Sequence, residues 1–207
     1  METTENLKLE TSNSLNRIGL FGGSFDPVHL GHTMVVRTAL AEMALDRIFI
    51  IPAAQSPFKP EQVPAPATDR LAWLRLAFED EPRCEIDTQE IERVGISYTI
   101  DTVRDYAARF AEAELFYLIG ADHVPTLPEW REAAVLADVV TFVVVPRLGE
   151  LETEVAEFPP SFRGTVLRGK PVAISASDLR ERLRAGESIE NFVPPAVAAA
   201  LKVEHSY

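Results

Sequence analysis

Cysteine is nearly absent from this sequence: Cys84 stands alone among 207 residues. No disulfide framework and no cysteine-based metal site can form within the chain, and a reducing, cytoplasmic setting is the simplest expectation. Positive charge is also scarce. Twenty Lys and Arg face 32 Asp and Glu, for a formal net charge of −12. Such a chain repels nucleic acid and anionic membranes, so no nucleic-acid partner is expected. An anionic ligand would need a local concentration of cationic side chains or backbone N–H groups. Long apolar runs are missing too. "VVTFVVV", 139–145, is far too short to cross a bilayer, so no membrane partner is expected either. The polar, acidic start "METTENLKLETSNSLN" has neither the basic nor the apolar part of a signal peptide. Residues 1–16 are read as a flexible tail, and 17–207 as a single domain. Internal repeats and low-complexity segments are lacking.

What remains is a globular composition, 46% hydrophobic and 25% charged, with a clear rhythm. Apolar runs at 17–21, 47–52, 115–120, 139–145 and, more briefly, 171–174 do not alternate with polar residues. Strands covered on both faces look like this, as in a parallel sheet between helices. Helical stretches separate them: 30–44, a segment that Thr68 can cap, 97–110 with Ile100, Val103, Ala107 and Phe110 on one face, 131–138, a segment ended by Gly186, and a last helix opened by prolines. Strand and helix alternate throughout, which predicts an α/β, doubly wound, mostly parallel sheet with a small C-terminal helical part. Prolines at 52, 57, 60, 64 and 66 make the segment after the second strand a loop. Ligands bind beyond the carboxyl ends of such strands, so this loop is a candidate rim. Residues 147–170 form a second insertion with no assigned element. Trp73, inside an amphipathic helix, is expected in the core.

The densest chemistry lies in "FGGSFDPVHLGH", 21–32. Gly22 and Gly23 let the backbone turn tightly and approach a ligand. Pro27 stiffens the turn, and a helix begins near His29 or Leu30. Its first N–H groups lack intrahelical partners and its dipole points positive toward the loop, an arrangement that favours phosphate. Neither G-x-G-x-x-G nor G-x-x-x-x-G-K-[ST] is present. His29 and His32 are three apart and share a face at the helix start. They could be capping or core histidines. Zinc, held by both with Asp26, is a further alternative short of an evident additional ligand. In "ISASDLR", 174–180, serines can cap a helix. Arg180 in the first turn opposes the helix dipole unless it meets an anion.

Together these two segments resemble the paired signatures of the H-x-G-H nucleotidylyltransferases, about 140 residues apart, each at a predicted strand-to-helix junction. The blocks "ERVGISYTIDTVRDY" and "LIGADHVPTLPEWREAAVLADVVTFVVVPR" are similar to the bacterial nicotinate mononucleotide adenylyltransferases. "SPFKP" resembles their S-P-H-K loop, with Phe58 in place of histidine. In the second signature, Ala176 and Ser177 stand where serine and threonine are common.

The resemblance implies a Rossmann-like nucleotidylyltransferase fold. It also implies a cytoplasmic enzyme of NAD biosynthesis that joins ATP and nicotinate mononucleotide, giving deamido-NAD and pyrophosphate. Mg²⁺ would be bound through the phosphates rather than by protein side chains. In this reading His29, His32 and Arg180 act at the reacting phosphates. Gly22, Gly23, Ser24, Phe25, Gly31, Gly120, Asp122, Ser175 and Ser177 hold ATP. Lys59, Tyr98, Thr99 and Trp130 hold the mononucleotide, with Trp130 stacking on the pyridine ring. The attacking phosphate oxygen is already ionised, so no general base or protein nucleophile is needed. Imidazoles with an unperturbed pKa near 6.5 are expected to supply donors and positive charge. A nicotinamide-preferring enzyme and a phosphopantetheine adenylyltransferase are the alternatives within the class. A non-catalytic nucleotide-binding module is the alternative outside it. Oligomeric state, a homo-oligomer included, is not fixed by the sequence.

Overall fold

The computed structural model describes residues 15–58, 61–146, 157–169 and 174–204. Six strands form one all-parallel sheet: β1 (Arg17–Gly23), β2 (Arg47–Pro52), β3 (Cys84–Ile86), β4 (Glu114–Gly120), β5 (Val140–Val145) and β6 (Gly164–Val166). Their order is β3-β2-β1-β4-β5-β6. The central strand β1 pairs Ile18 with Arg47 of β2 on one side and with Leu115 of β4 on the other. The order in which strands are added therefore changes direction between β1 and β4, while all strands stay parallel. The crevice beyond their carboxyl ends is the topological switch point, where ligands bind in open α/β sheets.

Helices cover both faces: α1 (Leu30–Glu42), α2 (Ala67–Phe78), α3 (Gln89–Arg93), α4 (Thr99–Arg109), α5 (Ala133–Val139), α6 (Ala176–Arg184) and α7 (Pro195–Glu204), with a 3-10 helix at Ala121–Glu129. The unalternating apolar strands follow directly. In β4, Phe116 and Leu118 enter the core under α1, α2, α6 and α7, while Leu115, Tyr117 and Ile119 enter the core under α4, α5 and the 3-10 helix. Both faces are dry, so every position must be apolar. Trp73 is fully buried in the first core, as its helix position predicts. In α4, Ile100, Val103 and Tyr106 recur at helical spacing and are all buried. Each fully buried aliphatic or aromatic side chain is worth about 1.5–3 kcal/mol.

Four details differ from the sequence reading. The sixth strand lies at Gly164–Val166, within the insertion left without an element, and pairs Phe142 with Gly164. Three residues are too few for a periodic signal. The apolar run predicted at 171–174 falls, but for Ile174, outside the described residues. α2 starts at Ala67 with Pro66 as its N-cap, so Thr68 sits in the first turn and donates to Asp69 instead of capping. At the N-terminus, the expected tail reaches two residues too far. Leu15 packs against the second core, and the Asn16 N–H donates to Asp46 Oδ2 at 2.8 Å. The rest of that tail, residues 1–14, falls outside the described residues. None of the helices in the described residues is long and apolar enough to cross a membrane.

Candidate active site

β1 ends in Gly22 and Gly23, and the chain turns through Ser24, Phe25 and Asp26 into α1, whose N-cap is His29. Phe25 adopts φ 48, a left-handed conformation unusual for a side chain of its size. Its ring is 2% exposed and packs edge-on to His32 at 5.0 Å. Only the backbone of Phe25 is left to face a ligand. The burial that fixes the ring stabilises the strained turn.

The two imidazoles stack, with ring centroids 3.7 Å apart. The His29 N–H donates to His32 Nδ1 at 3.1 Å. That bond fixes the tautomer: a neutral His32 carries its proton on Nε2, leaving Nε2–H as a donor. His32 thus caps the helix and keeps a free functional atom, which joins two readings the sequence held apart. His29 Nδ1 is buried without a hydrogen-bond partner. Gly31 explains the residue between them. A Cβ there would lie 2.9 Å from the His29 ring, so any side chain would displace the stack.

Burial opposes the positive charge that neighbouring phosphates are expected to favour on these rings. Burial lowers the His29 pKa to about 4. His32 is pushed well below its ordinary value, by burial first and by the His29 charge second. Packing by Phe21, Phe25 and His29 leaves little water to solvate an imidazolium. Both rings are therefore neutral donors at neutral pH, and only a bound anion could draw a proton onto them.

α6 brings the second signature to the same turn. Ser175 caps it, accepting from the Asp178 N–H at 3.1 Å. Arg180 is 8% exposed. It donates through Nη1 to the Asp26 carbonyl at 2.7 Å and through Nη2 to Ser177 Oγ at 3.0 Å. The Asp26 carboxylate, 1% exposed, lies 3.8 Å from Nη1. Ser175 and Ser177 remain exposed at the helix start, facing the dipole's positive end.

On the other side of β1, Gly120 ends β4 and Asp122 follows in the 3-10 helix. Tyr98 caps α4 and Thr99 opens it. The Thr99 hydroxyl meets the Tyr117 hydroxyl at 3.3 Å. Tyr117 lies edge-on to Trp130 at 6.4 Å between centroids. Trp130 is half-buried, and its Nε1 donates to Thr126 Oγ1 at 3.3 Å. The proline-rich segment runs between these groups and the glycine turn. Ala53 N–H donates to the Gly23 carbonyl at 2.9 Å, and Ala54 N–H to Ser97 Oγ at 3.1 Å. A small pocket lined by Ser24, Ala53, Ala54, Ser56, Gln62 and Pro64 opens there, between the glycine turn and the loop. Lys59 falls outside the described residues.

Three neighbours are not among the residues the sequence singles out for the site. Tyr117 reads as an ordinary strand residue. His123 was left unassigned, and its ring lies 4.7 Å from Phe58 and 5.8 Å from Trp130. Arg70 is 2% exposed. Its signal was present: it shares the apolar stripe of α2 with Trp73 and Leu74, where a charge is out of place.

Gly22 joins the two halves. A Cβ on it would sit 2.6 Å from the Tyr117 hydroxyl. Gly22→Ala must therefore move Tyr117, and with it Thr99 at the start of α4. The expected cost is about 1–3 kcal/mol of stability, with a raised KM for whichever substrate α4 holds, read by thermal unfolding and steady-state kinetics.

A glycine turn at the switch point, a helix start with two stacked imidazoles, and an arginine and two serines delivered by a distant segment meet at one place in this α/β fold. The chain belongs to the cytidylyltransferase-like family, whose model matches residues 20–182. It is 38% identical over 191 residues to the probable nicotinate-nucleotide adenylyltransferase of Opitutus terrae, covering 92% of this chain and 97% of that one. The corresponding protein of Gemmatimonas aurantiaca is 43% identical over 187 residues, covering 88% of each chain. Among solved structures, Plasmodium falciparum nicotinic acid mononucleotide adenylyltransferase complexed with NaAD superposes with a TM-score of 0.72 at 17% identity. That match covers 90% of this chain and 95% of the other, and it establishes the shared fold.

Proposed function

We infer that the chain is a nicotinate-nucleotide adenylyltransferase. It transfers the adenylyl group of ATP to nicotinate mononucleotide, giving deamido-NAD and pyrophosphate in NAD biosynthesis. The observation that carries this reading is the bond from Arg180 Nη1 to the Asp26 carbonyl at 2.7 Å. It joins two segments 154 residues apart into one anion site, and the relatives identical at 34–43% over most of the chain bear the same activity in their names.

In the reaction, a phosphate oxygen of the mononucleotide attacks the α-phosphorus of ATP. The bond to the oxygen bridging the α- and β-phosphorus breaks, and pyrophosphate leaves with that electron pair. The protein has to align two polyanions and stabilise the charge that develops. The glycine turn, through Gly22 to Phe25 and Gly31, lets the phosphates approach the backbone. His32 Nε2–H and the His29 ring face the reacting phosphate. Arg180, with Ser175 and Ser177, holds the β- and γ-phosphates, and Gly120 and Asp122 the adenosine side. Lys59, Tyr98, Thr99 and Trp130 take the mononucleotide, its carboxylate set against the N–H groups that open α4. Mg²⁺ bound through the phosphates of ATP would neutralise charge there.

An assay with ATP, Mg²⁺ and each pyridine mononucleotide tests the assignment. Pyrophosphate release is expected only when mononucleotide is added, with nicotinate mononucleotide the faster acceptor. Faster turnover of the amide would reassign specificity. No release with either would overturn the activity.

A further inference from the structure

Arg70 has no part in the reaction as set out above, yet its guanidinium reaches three separate segments. Nη1 donates to the Ser24 carbonyl at 2.8 Å and to the Ala53 carbonyl at 2.9 Å, and Nε to the Ala65 carbonyl at 3.0 Å. Ser24 lies in the glycine turn, Ala53 just beyond β2, and Ala65 at the close of the proline-rich loop. Burying a cation so deeply is costly unless its donors are satisfied. A flat guanidinium with five N–H groups in fixed directions suits three acceptors at different bearings, which a lysine ammonium on its flexible stem matches poorly.

We propose that Arg70 is a positioning residue that sets the two substrates in line, by locking the glycine turn and the proline-rich loop at one fixed separation. The inference rests on the assignment of the turn to ATP and of the loop to the mononucleotide. Two consequences follow from the geometry. First, the Ser24–Phe25 peptide is planar and trans, so holding the Ser24 carbonyl toward Arg70 aims the Phe25 N–H the opposite way. Arg70 thus orients a backbone donor it does not touch. Second, Ser24 and Ala53 line the pocket between turn and loop, so the same guanidinium fixes both of its walls. Arg180 grips the turn from the other side through the Asp26 carbonyl. The turn is held between two buried arginines that come from α2 and α6.

Each substrate keeps its own contacts when Arg70 is removed, and only their mutual alignment is lost. The expected signature is a fall in the chemical rate with both KM values kept. Arg70→Ala should lower the single-turnover rate constant about 100-fold, the scale of an ångström-sized misplacement, with each KM within about threefold of wild type. The single-turnover constant, measured with enzyme in excess, does not depend on how much of the preparation is folded. Added guanidinium or methylguanidinium ion at millimolar concentration should restore at least about tenfold of the loss in Arg70→Ala and leave the wild type unaffected. Arg70→Lys, which keeps the charge but not the fork, should fall in between, and it decides the matter if the alanine variant does not fold. A folded Arg70→Lys or Arg70→Ala with the wild-type single-turnover constant would overturn the proposal. So would a slow Arg70→Ala that guanidinium leaves slow. Should the wild type itself fail to adenylylate either mononucleotide, the underlying function has failed and not the role of Arg70.

Discussion

Replacing His32 with alanine is expected to lower kcat by about 10²–10³-fold, the usual cost of removing one preorganised donor at a site of developing charge. KM for the mononucleotide should change little, because His32 lies on the turn and α1, apart from Trp130 and α4. The preorganisation is visible in the hydrogen bonding and packing of the ring. His32 Nδ1 is already bonded to the His29 N–H at 3.1 Å, and the ring is packed by Phe21, Phe25 and His29. Nothing has to reorganise when charge builds on the phosphate. Wild-type kcat in a steady-state assay of His32→Ala would remove the role. The pair also predicts a pH effect. An imidazole held neutral in the fold but free to protonate in the unfolded chain makes the unfolded state bind more protons. Stability should be full above the unfolded value near 6.5 and be lost as pH falls toward about 4, the value to which burial lowers His29. His32→Ala removes one such group. Its unfolding temperature should decline less steeply than that of wild type across this interval, as thermal melts would read.

Arg180→Ala should strike both stability and rate. Removing the guanidinium 3.8 Å from the buried Asp26 carboxylate disturbs a charge pair cut off from water, typically worth about 3–5 kcal/mol when one partner is deleted. It also frees the Asp26 carbonyl, and with it the turn. Loss of the phosphate contact should lower kcat/KM for ATP by about 10²–10³-fold, while the mononucleotide KM stays closer to wild type. Arg180→Lys keeps the charge but cannot bond the Asp26 carbonyl and Ser177 Oγ as one planar fork. It should regain more stability than rate. Denaturant unfolding with kinetics under varied ATP separates the two parts. An Arg180→Ala protein with wild-type kcat/KM for ATP would restrict Arg180 to holding the turn.

Much of this molecule was legible because its strands are buried on both faces. Apolar runs such as "RIFIIP" leave no choice of face, and 47–52 matches the observed Arg47–Pro52. The caps were legible for a similar local reason: Ser175 accepts from the Asp178 N–H, and Gly186 takes the left-handed turn after α6 with φ 72. Short or locally silent elements were not. A three-residue strand such as Gly164–Val166 is defined by the edge it pairs with, and residues three in number carry no period. Thr68 reads as a cap, but α2 begins at Ala67 with Pro66 as its N-cap.

The site divides along the same line. By itself, the sequence determined which residues could meet phosphate, because glycines, histidines and a helix start in twelve consecutive residues form a local arrangement. It also determined that strand and helix alternate. Only the tertiary structure decided that Arg180 touches the glycine turn, that Arg70 is buried and bonded to it, and that His29 and His32 are stacked and packed away from water. Those are matters of what surrounds a group. Burial, charge state and the pairing of segments 154 residues apart are set by packing, and packing has no local code.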